Sequence, residues 1–346
     1  MLADKPVLAV VGLGAMGGGI SLAALLGGIE VRVVDSDMET TAVGVKRLSE
    51  RLHRHVDAGL LHPATVALLD QVTAAESMPD ACAGADLVVE AVSEDWDIKR
   101  RVLVSLSGAT DATIITNTSS FPIDELAKDV ASPERFLGVH FFHPAEWIPG
   151  VEVVAGTMTS PDNVDLAMTM LARMSKQPVM VTSSPGFIAN RLQLALFAEC
   201  LRCVDEGLAT PADIDRVVRS TFGFRLPVFG PFAVADMAGL DVYASILTTL
   251  SDAYGERFAM PAALRELVEQ RRLGVKTGGG FAEYSPAEVE ELTQRRDAAY
   301  LRLLVSTAAP YPSAAVVPEA TVVPEAAVVS EADVVPEAAV VSEADA

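Results

Sequence analysis

The chain has 346 residues, half of them hydrophobic and 5% aromatic, and its net charge is −21. This length allows two or three folded domains, and the composition excludes wholesale disorder and is typical of an α/β protein. So negative a charge repels phosphate backbones and anionic lipid, so we expect neither nucleic acid nor a membrane as a partner.

A strand, a glycine turn and a helix follow one another at the start of the chain. Val7 to Val11 is a short apolar run, a glycine-rich turn covers residues 12–19, and a helical stretch continues to Leu26. A second apolar strand runs from Glu30 to Val34 and ends at Asp35. This order predicts a complete βαβ unit.

The next 150 residues alternate between helical and strand-like segments. A long polar helical region is predicted over residues 39–69, and further strands over 87–89, 113–116, 136–140, 151–154 and 179–181. Strands that alternate with helices indicate a parallel sheet. We therefore predict a Rossmann-type α/β domain over residues 1–184.

The remaining sequence predicts helices and then a tail. Residues 190–204 are apolar on nearly every face, as in a helix buried between helices or subunits, and Thr210 is a candidate cap for the next helix. These features predict an all-α C-terminal domain over residues 185–305. Five acidic, mostly Pro-containing hexads lie within residues 306–346, which we expect to be a disordered acidic tail.

The cysteine content and the N-terminal sequence allow predictions about metal binding and about the cellular compartment. Three cysteines are too few for a disulfide scaffold, and the start of the chain lacks the pattern of a signal peptide. Cys200 and Cys203 lie in the apolar helix, without a second ligand pair that would complete a zinc site. We expect a cytoplasmic protein, and no metal site is predicted.

The glycine turn has the spacing of a dinucleotide site. Gly12 can make the tight turn, Gly14 allows the backbone to approach a pyrophosphate, and Gly17 permits close packing of the helix. Asp35 would accept hydrogen bonds from the ribose hydroxyls and repel a 2′-phosphate, which favours NAD over NADP. Asp37 offers the same chemistry and remains an alternative.

Beyond this turn, the order of motifs resembles the L-3-hydroxyacyl-CoA dehydrogenase family over residues 5 to about 303. The matching segments are GLGAMGGGI at 12–20, EAVSE at 90–94 with Lys99, NTSS at 117–120, HFFHP at 140–144 with Glu152, PGFIANR at 185–191 and KTGGGF at 276–281. The resemblance implies oxidation of a secondary alcohol to a ketone by a His–Glu pair, here His140 and Glu152, with hydride passing to NAD. Histidine suits this role because its pKa lies near neutrality, and a carboxylate behind the ring fixes its tautomer.

The resemblance also implies roles for two short polar side chains. Ser119 would donate to the substrate oxygen, and Asn190 would hold that oxygen or the surroundings of His140. From the residues alone, a turn serine and a helix N-cap are the alternatives.

Four further residues match cofactor positions of the family. Met16 lies in the glycine turn, Glu94 and Lys99 correspond to positions that border the nicotinamide-side ribose, and Lys276 corresponds to one that approaches the cofactor from the helical domain. Lys99 belongs to a mixed-charge run, so a solvated helix face is its alternative.

Two features concern the substrate. His143 stands where the family usually has Asn, which suggests an altered acyl pocket, with an exposed loop histidine as the alternative. Arg51 and Arg54 belong to a basic patch over residues 46–55 that can attract CoA phosphates or an acidic carrier protein, or can simply be a solvated helix face.

The predicted function is NAD-dependent oxidation of a 3-hydroxyacyl-CoA, such as 3-hydroxybutyryl-CoA, within fatty acid metabolism, and the resemblance implies a homodimer. One alternative is a hydroxy acid or alcohol without CoA, since other segments resemble the branch with gulonate (λ-crystallin-type), carnitine and pyridine-alcohol dehydrogenases. A second alternative is a dehydrogenase that acts on a hydroxyacyl group bound to a carrier protein, and a third is a non-catalytic, crystallin-like structural protein.

Overall fold

The computed structural model describes residues 5–306. They belong to two compact units that divide between Glu199 and Cys200, within a helix, whereas the sequence suggests a division after residue 184. The predicted disordered tail lies outside the described residues from position 307 onward.

The first unit contains one eight-stranded sheet in the order β3-β2-β1-β4-β5-β6-β7-β8. The strands are β1 (Val7–Val11), β2 (Glu30–Val34), β3 (Val72–Ala74), β4 (Leu87–Glu90), β5 (Thr113–Thr116), β6 (Phe136–Phe141), β7 (Gly150–Ala155) and β8 (Gln177–Met180). All neighbouring strands are parallel except β6 and β7. The connection between these two covers only residues 142–149, which is shorter than the dozen residues that a parallel crossover needs.

Helices cover both faces of the sheet. Those of the first unit are α1 (Ala15–Leu26), α2 (Met38–Asp57), α3 (Met78–Cys82), α4 (Trp96–Ala109), α5 (Ile123–Ala127) and α6 (Pro161–Arg173). Leu8 and Val10 of β1 pack in the core beneath α1, α2 and α6, whereas Ala9 and Val11 belong to the core beneath α3, α4 and α5. The predicted Rossmann-type architecture is confirmed.

The helical region predicted over residues 39–69 is shorter than expected. Its helix α2 ends at Asp57, Gly59 adopts a positive φ of 70°, and a separate 3₁₀ segment, Pro63–Gln71, follows. Glycine adopts this conformation without steric cost, and a residue with positive φ just beyond the last turn is a common way for a helix to end.

The second unit is helical, as predicted. After α7 (Ala189–Asp205), which crosses the division, come α8 (Pro211–Ser220), α9 (Phe222–Arg225), α10 (Pro231–Ala238), α11 (Leu240–Tyr254), α12 (Ala262–Glu269) and α13 (Pro286–Ser306). Thr210 caps α8, because its side chain accepts a hydrogen bond from the Asp213 amide. Within residues 5–306, no single helix is long and apolar enough to cross a membrane. Two consecutive segments, Pro231–Ala238 and Leu240–Phe258, have the necessary length and hydropathy only when they are taken together, and the chain bends sharply between them.

Candidate active site

A cavity of about 410 Å³ opens at the carboxyl ends of the parallel strands. The strand order reverses between β1 and β4, and ligands of doubly wound sheets bind at such a switch point. The cavity is lined by Gly14, Ala15, Met16, Ala91, Val92, Ser93, Glu94, Asn117, Ser119, His140 and Phe141. Five residues predicted from the sequence, Gly14, Met16, Glu94, Ser119 and His140, therefore meet around one space.

His140 and Glu152 form a buried pair at this edge of the sheet. They lie directly opposite each other on the antiparallel strands β6 and β7, and His140 Nδ1 is 2.9 Å from Glu152 Oε2. Only 7% of the His140 side chain and 8% of the Glu152 side chain are exposed. The rings of Phe142 and Phe187 pack near the imidazole, with centroids at 4.3 and 5.8 Å.

The second oxygen of Glu152 holds the turn that leads into α7. Its Oε1 accepts hydrogen bonds from the backbone amides of Ile188 and Ala189, both at 2.9 Å. The oxygens of a carboxylate only accept hydrogen bonds, so His140 Nδ1 must be the donor in its contact with Glu152. The ring proton therefore lies on Nδ1, and Nε2 is able to accept a proton.

Ser119 and Asn190 lie next to each other. The Asn190 side-chain amide donates to the Ser119 carbonyl at 3.0 Å. Asn190 lies inside α7, which begins at Ala189, so it is not the N-cap that the residues alone suggest. The Ser119 hydroxyl donates to Glu94 Oε1 at 3.1 Å, and the Ser119 amide donates to the same oxygen at 2.9 Å. A hydroxyl has one proton, so Ser119 would have to redirect it from Glu94 in order to donate to a substrate oxygen, and that role stays a prediction.

The Lys99 side chain lies in the interior of the first unit. Its side chain is fully buried, with the ammonium 3.0 Å from Glu90 Oε1 and 3.3 Å from Glu94 Oε2. The solvated helix face is therefore wrong. Lys99 is not among the residues that line the cavity, and its role beside the cofactor stays a prediction. Burial raises the pKa of Glu94, but hydrogen bonds from Thr118 and Ser119 and the charge of Lys99 outweigh it, so the pKa lies below its ordinary value.

The glycine turn has the shape that a pyrophosphate requires. Gly12 has a φ of 94°, and a Cβ on Gly17 would lie 1.9 Å from the Gly12 carbonyl oxygen, so neither position accepts a side chain freely. A Cβ on Gly14 would meet no atom within 4 Å, because Gly14 borders open cavities on two sides. The first amides of α1 begin immediately after Gly14, where a helix N-terminus favours an anion.

Asp35 and Asp37 make different contacts. Asp35 accepts from the Leu13 amide at 2.7 Å and lines the second cavity beside Gly14, together with Thr40 and Arg47. Asp37 caps α2 instead: the Thr40 amide donates to it at 2.7 Å, and this hydrogen bond lowers the pKa of the Asp37 carboxyl. The alternative assignment of the ribose to Asp37 is therefore disfavoured.

The predicted substrate residues are dispersed. Arg51 is 3.3 Å from the buried Glu146, which His55 also contacts at 3.4 Å, so Arg51 serves an internal ion pair. Arg54 is exposed and lines a cavity beside Gly14 with Arg47 and Arg51. His143 is exposed in the β6–β7 connection and is absent from the cavity around His140.

Lys276 belongs to the second unit, where it forms an ion pair with Asp241. Its predicted approach to the cofactor stays a prediction. Among residues 5–306, no group of three metal-ligating side chains comes together.

Sequence reasoning missed three contacts of the site. Glu90 holds Lys99, Asn117 accepts from the Phe141 amide at 3.0 Å, and Glu146 anchors the β6–β7 connection. Glu90 and Asn117 stand inside the quoted motifs, which was the available signal for them, whereas nothing in the sequence marks Glu146.

Comparison with known proteins agrees with this geometry. Residues 7–184 match the family described as "3-hydroxyacyl-CoA dehydrogenase, NAD binding domain", and residues 186–284 match "3-hydroxyacyl-CoA dehydrogenase, C-terminal domain". A probable 3-hydroxybutyryl-CoA dehydrogenase of Bacillus subtilis is 35% identical over 279 residues, which are 80% of this chain and 96% of the relative.

A 5-formyl-3-hydroxy-2-methylpyridine 4-carboxylate 5-dehydrogenase of Mesorhizobium japonicum is 32% identical over 84% of this chain and 94% of its own length. Among solved structures, a 3-hydroxyacyl-CoA dehydrogenase of Archaeoglobus fulgidus superposes with a TM-score of 0.73 at 29% identity, covering 88% of this chain and 99% of that one. The chain therefore belongs to the 3-hydroxyacyl-CoA dehydrogenase family of NAD-dependent oxidoreductases, which act on a CH–OH group.

Proposed function

We propose that this chain oxidises the 3-hydroxyl of a 3-hydroxyacyl-CoA, such as 3-hydroxybutyryl-CoA, reversibly to the ketone. The observation that carries the proposal is the buried His140–Glu152 pair, with Nδ1 and Oε2 2.9 Å apart, beside the cavity that Gly14 and Met16 line. A general base and a dinucleotide cradle in one cavity are the two parts that alcohol oxidation needs.

His140 acts as the base. A hydride leaves the carbinol carbon only as the hydroxyl proton departs, and Nε2 of His140 takes that proton. Glu152 stabilises the resulting imidazolium through its contact with Nδ1, without becoming protonated itself. In the reverse direction, the imidazolium returns the proton to the ketone oxygen.

The residues around the glycine turn fit NAD. When bound, NAD supplies the hydride acceptor. Gly14 leaves room for the pyrophosphate at the start of α1, and Asp35, which repels a 2′-phosphate, lines the cavity on the adenosine side. On the other side of Gly14, Met16 and Glu94 border the space for the nicotinamide half.

Ser119 and Asn190 orient the substrate oxygen in this proposal. Asn190 uses one N–H on the Ser119 carbonyl, which leaves its second N–H to donate to the developing ketone. The Ser119 hydroxyl contributes after it exchanges Glu94 for the substrate.

The CoA moiety of the substrate would meet a basic surface near Gly14. Arg54 and Arg47 are exposed there and can attract its phosphates, whereas Arg51 is occupied by Glu146. A dehydrogenase of a free hydroxy acid or a pyridine alcohol remains the second candidate, because the similar Mesorhizobium protein is named for a pyridine substrate and His143 departs from the family pattern.

The deciding experiment follows NADH absorbance with purified protein. The substrates are 3-hydroxybutyryl-CoA, longer 3-hydroxyacyl-CoAs, carnitine, gulonate and a pyridine alcohol, each with NAD and NADP. We expect the highest kcat/KM with NAD and a 3-hydroxyacyl-CoA. Turnover confined to the compounds without CoA would overturn the substrate assignment and leave the reaction class intact.

We also propose a homodimer in the cytoplasm. Leu192, Leu194 and Phe197 of α7 are 62%, 60% and 56% exposed in the single chain, and a second copy can cover them. Analytical ultracentrifugation should give twice the chain mass of 36.4 kDa, and Leu194→Glu should lower it to one chain mass. Fractionation of the source cells tests the compartment.

A further inference from the structure

The β6–β7 connection carries exposed apolar side chains on a backbone that buried charges hold in place. Glu146 is 9% exposed, and its carboxylate lies 3.3 Å from Arg51 and 3.4 Å from His55. These two partners stand one turn apart on α2, so they reach the connection from the same face of that helix. The next two residues, Trp147 and Ile148, are 40% and 37% exposed.

A second buried charge holds the same stretch from the side of β8. Lys176 lies directly before β8 and is 6% exposed, and its ammonium donates to the carbonyl oxygens of Ala145 at 2.5 Å and Ile148 at 2.9 Å. The amides of Trp147 and Ile148 both donate to the Pro144 carbonyl, at 3.1 and 3.0 Å. Charged groups lose hydration when they are buried, so they are retained where such contacts compensate for it. The backbone that carries Trp147 is therefore fixed by two of them.

The indole of Trp147 is held at one side and open at another. The centroid of the His55 ring lies 4.8 Å from that of the indole, and the two ring planes meet at 77°, so one ring presents its edge to the other. An aromatic side chain has only two rotatable bonds, and on a fixed backbone it loses little conformational entropy when a ligand binds to it. The exposed part of this indole is therefore suited to contact with a planar ring.

The positive charges of α2 lie beside this indole. Arg47 and Arg54 are exposed and line a cavity of about 270 Å³ next to Gly14, together with Arg51 and the acidic Glu50. The residue that follows Arg54 along α2 is the histidine in contact with the indole. An aromatic face beside arginine side chains is the combination that recognises a nucleotide, since the base stacks on the ring and the phosphates attract the cations.

We propose that Trp147 is a specificity-determining residue, which stacks on the adenine of the CoA moiety of the substrate. The phosphates of that moiety meet Arg54 and Arg47, while Glu146 and Lys176 hold the backbone of the connection for this contact. The inference rests on the proposed function, because it takes CoA as part of the substrate. It adds recognition of the base to a surface that otherwise recognises phosphates alone.

The first test observes the indole directly. Trp147 and Trp96 are the two tryptophans of the chain, so Trp96→Phe leaves a single fluorophore in the connection. Trp96 packs against the ring of Phe121, with centroids 5.0 Å apart, and phenylalanine keeps an aromatic ring there. CoA and adenosine 3′,5′-bisphosphate are titrated with NAD at saturation, which keeps the probes out of the dinucleotide site. We expect both probes to quench the emission of Trp147 saturably.

The matched control is Trp147→Phe, in which Trp96 is the fluorophore. Its emission should stay constant when adenosine 3′,5′-bisphosphate is added. The absence of quenching in Trp96→Phe would overturn the proposal. So would a pyridine alcohol that quenches Trp147 when CoA does not, or a Trp147 emission that changes with protein concentration alone, because a second copy would then cover the indole.

The second test separates the base from the acyl group. Two substrates are compared, 3-hydroxybutyryl-CoA and the N-acetylcysteamine thioester of 3-hydroxybutyrate, which has no nucleotide. Trp147→Leu should raise the KM for the CoA substrate on the order of tenfold, the usual effect of losing one stacked base, with kcat unchanged. Trp147→Phe should keep a KM near the parent value, and neither change should alter the KM for the thioester without a nucleotide. Thermal melting shows that each variant is folded.

A merely structural role of Trp147 would change the KM for both thioesters alike, and that result would overturn the proposal. The quenching measurement requires no turnover, so it decides the stacking contact by itself. Failure of the proposed function, seen as no oxidation of any 3-hydroxyacyl-CoA, is therefore distinguishable from failure of the stacking contact, seen as oxidation with the same KM in Trp147→Leu as in the parent.

Discussion

Replacing Glu152 by Gln should abolish most of the turnover, and the structure specifies how. The amides of Ile188 and Ala189 both donate to Oε1, so the carbonyl oxygen of the introduced glutamine must take that position. Its NH₂ group then faces His140 Nδ1 at the present Oε2 position, 2.9 Å away. An NH₂ group donates, so Nδ1 must accept and the ring proton moves to Nε2, where it blocks the base.

The magnitude follows from the loss of general base catalysis. A positioned base contributes about 100- to 10,000-fold, which is about 3 to 5.5 kcal/mol of the activation barrier. Glu152→Gln should therefore lower kcat about as much as His140→Ala does. Because both changes disable the same group, the double variant should be little worse than either single variant.

The assay is the steady-state rate of NADH formation, combined with NADH binding by fluorescence. NADH affinity should stay near the parent value, because Glu152 does not line the cavity beside the glycine turn. Glu146→Gln is the matched control, since Glu146 is another buried carboxylate nearby but contacts Arg51 and His55, and it should affect kcat far less. If Glu152→Gln keeps more than about a tenth of the parent kcat, or if its effect multiplies with that of His140→Ala, the tautomer argument is wrong.

Two pairs of substitutions separate the cofactor site from the fold. Gly14→Ala should leave the Tm unchanged and weaken NADH binding, because its methyl group meets only open space, whereas Gly17→Ala should lower the Tm because its methyl group would overlap the Gly12 carbonyl; equal effects on stability would refute this division. Asp35→Ala should lower kcat/KM for NAD relative to NADP, and an unchanged cofactor preference would count against the ribose assignment. Asp37→Ala removes a helix cap and should lower the Tm with no change in that preference.

Elements with a strong local signal were predictable, and those defined by a distant partner were not. The bounds of β1 and β2 agree with the sequence because apolar, β-branched runs are framed there by glycine and aspartate. Strand β3, Val72–Ala74, has only three residues and a single large apolar side chain, so no period is visible. The antiparallel direction of β7 could not be predicted either, because the alternation of apolar and polar residues is the same in parallel and antiparallel strands.

The same distinction applies to the site. The order of motifs indicated that His140, Glu152, Ser119 and Asn190 act together, but not what each hydrogen bond does. Lys99 illustrates the limit, because a mixed-charge run on a helix has the same pattern whether it faces water or the interior. Its burial depends on Glu90, which stands nine residues earlier at the end of a different element.

The antiparallel pairing of β6 with β7 is what brings the catalytic pair together in this otherwise parallel sheet. In a parallel pair, residues that face each other stand at the same distance along both strands, so a partner for His140 at the carboxyl end would itself lie at a carboxyl end. Here β7 starts where β6 finishes, and its third residue, Glu152, stands directly opposite His140. Because side chains alternate between faces, a shift of one position would bring Val151 or Val153 opposite the imidazole and turn the carboxylate to the other face. The chemistry thus depends on the register of one strand pair, which the amides of Ile188 and Ala189 reinforce by holding the other carboxylate oxygen.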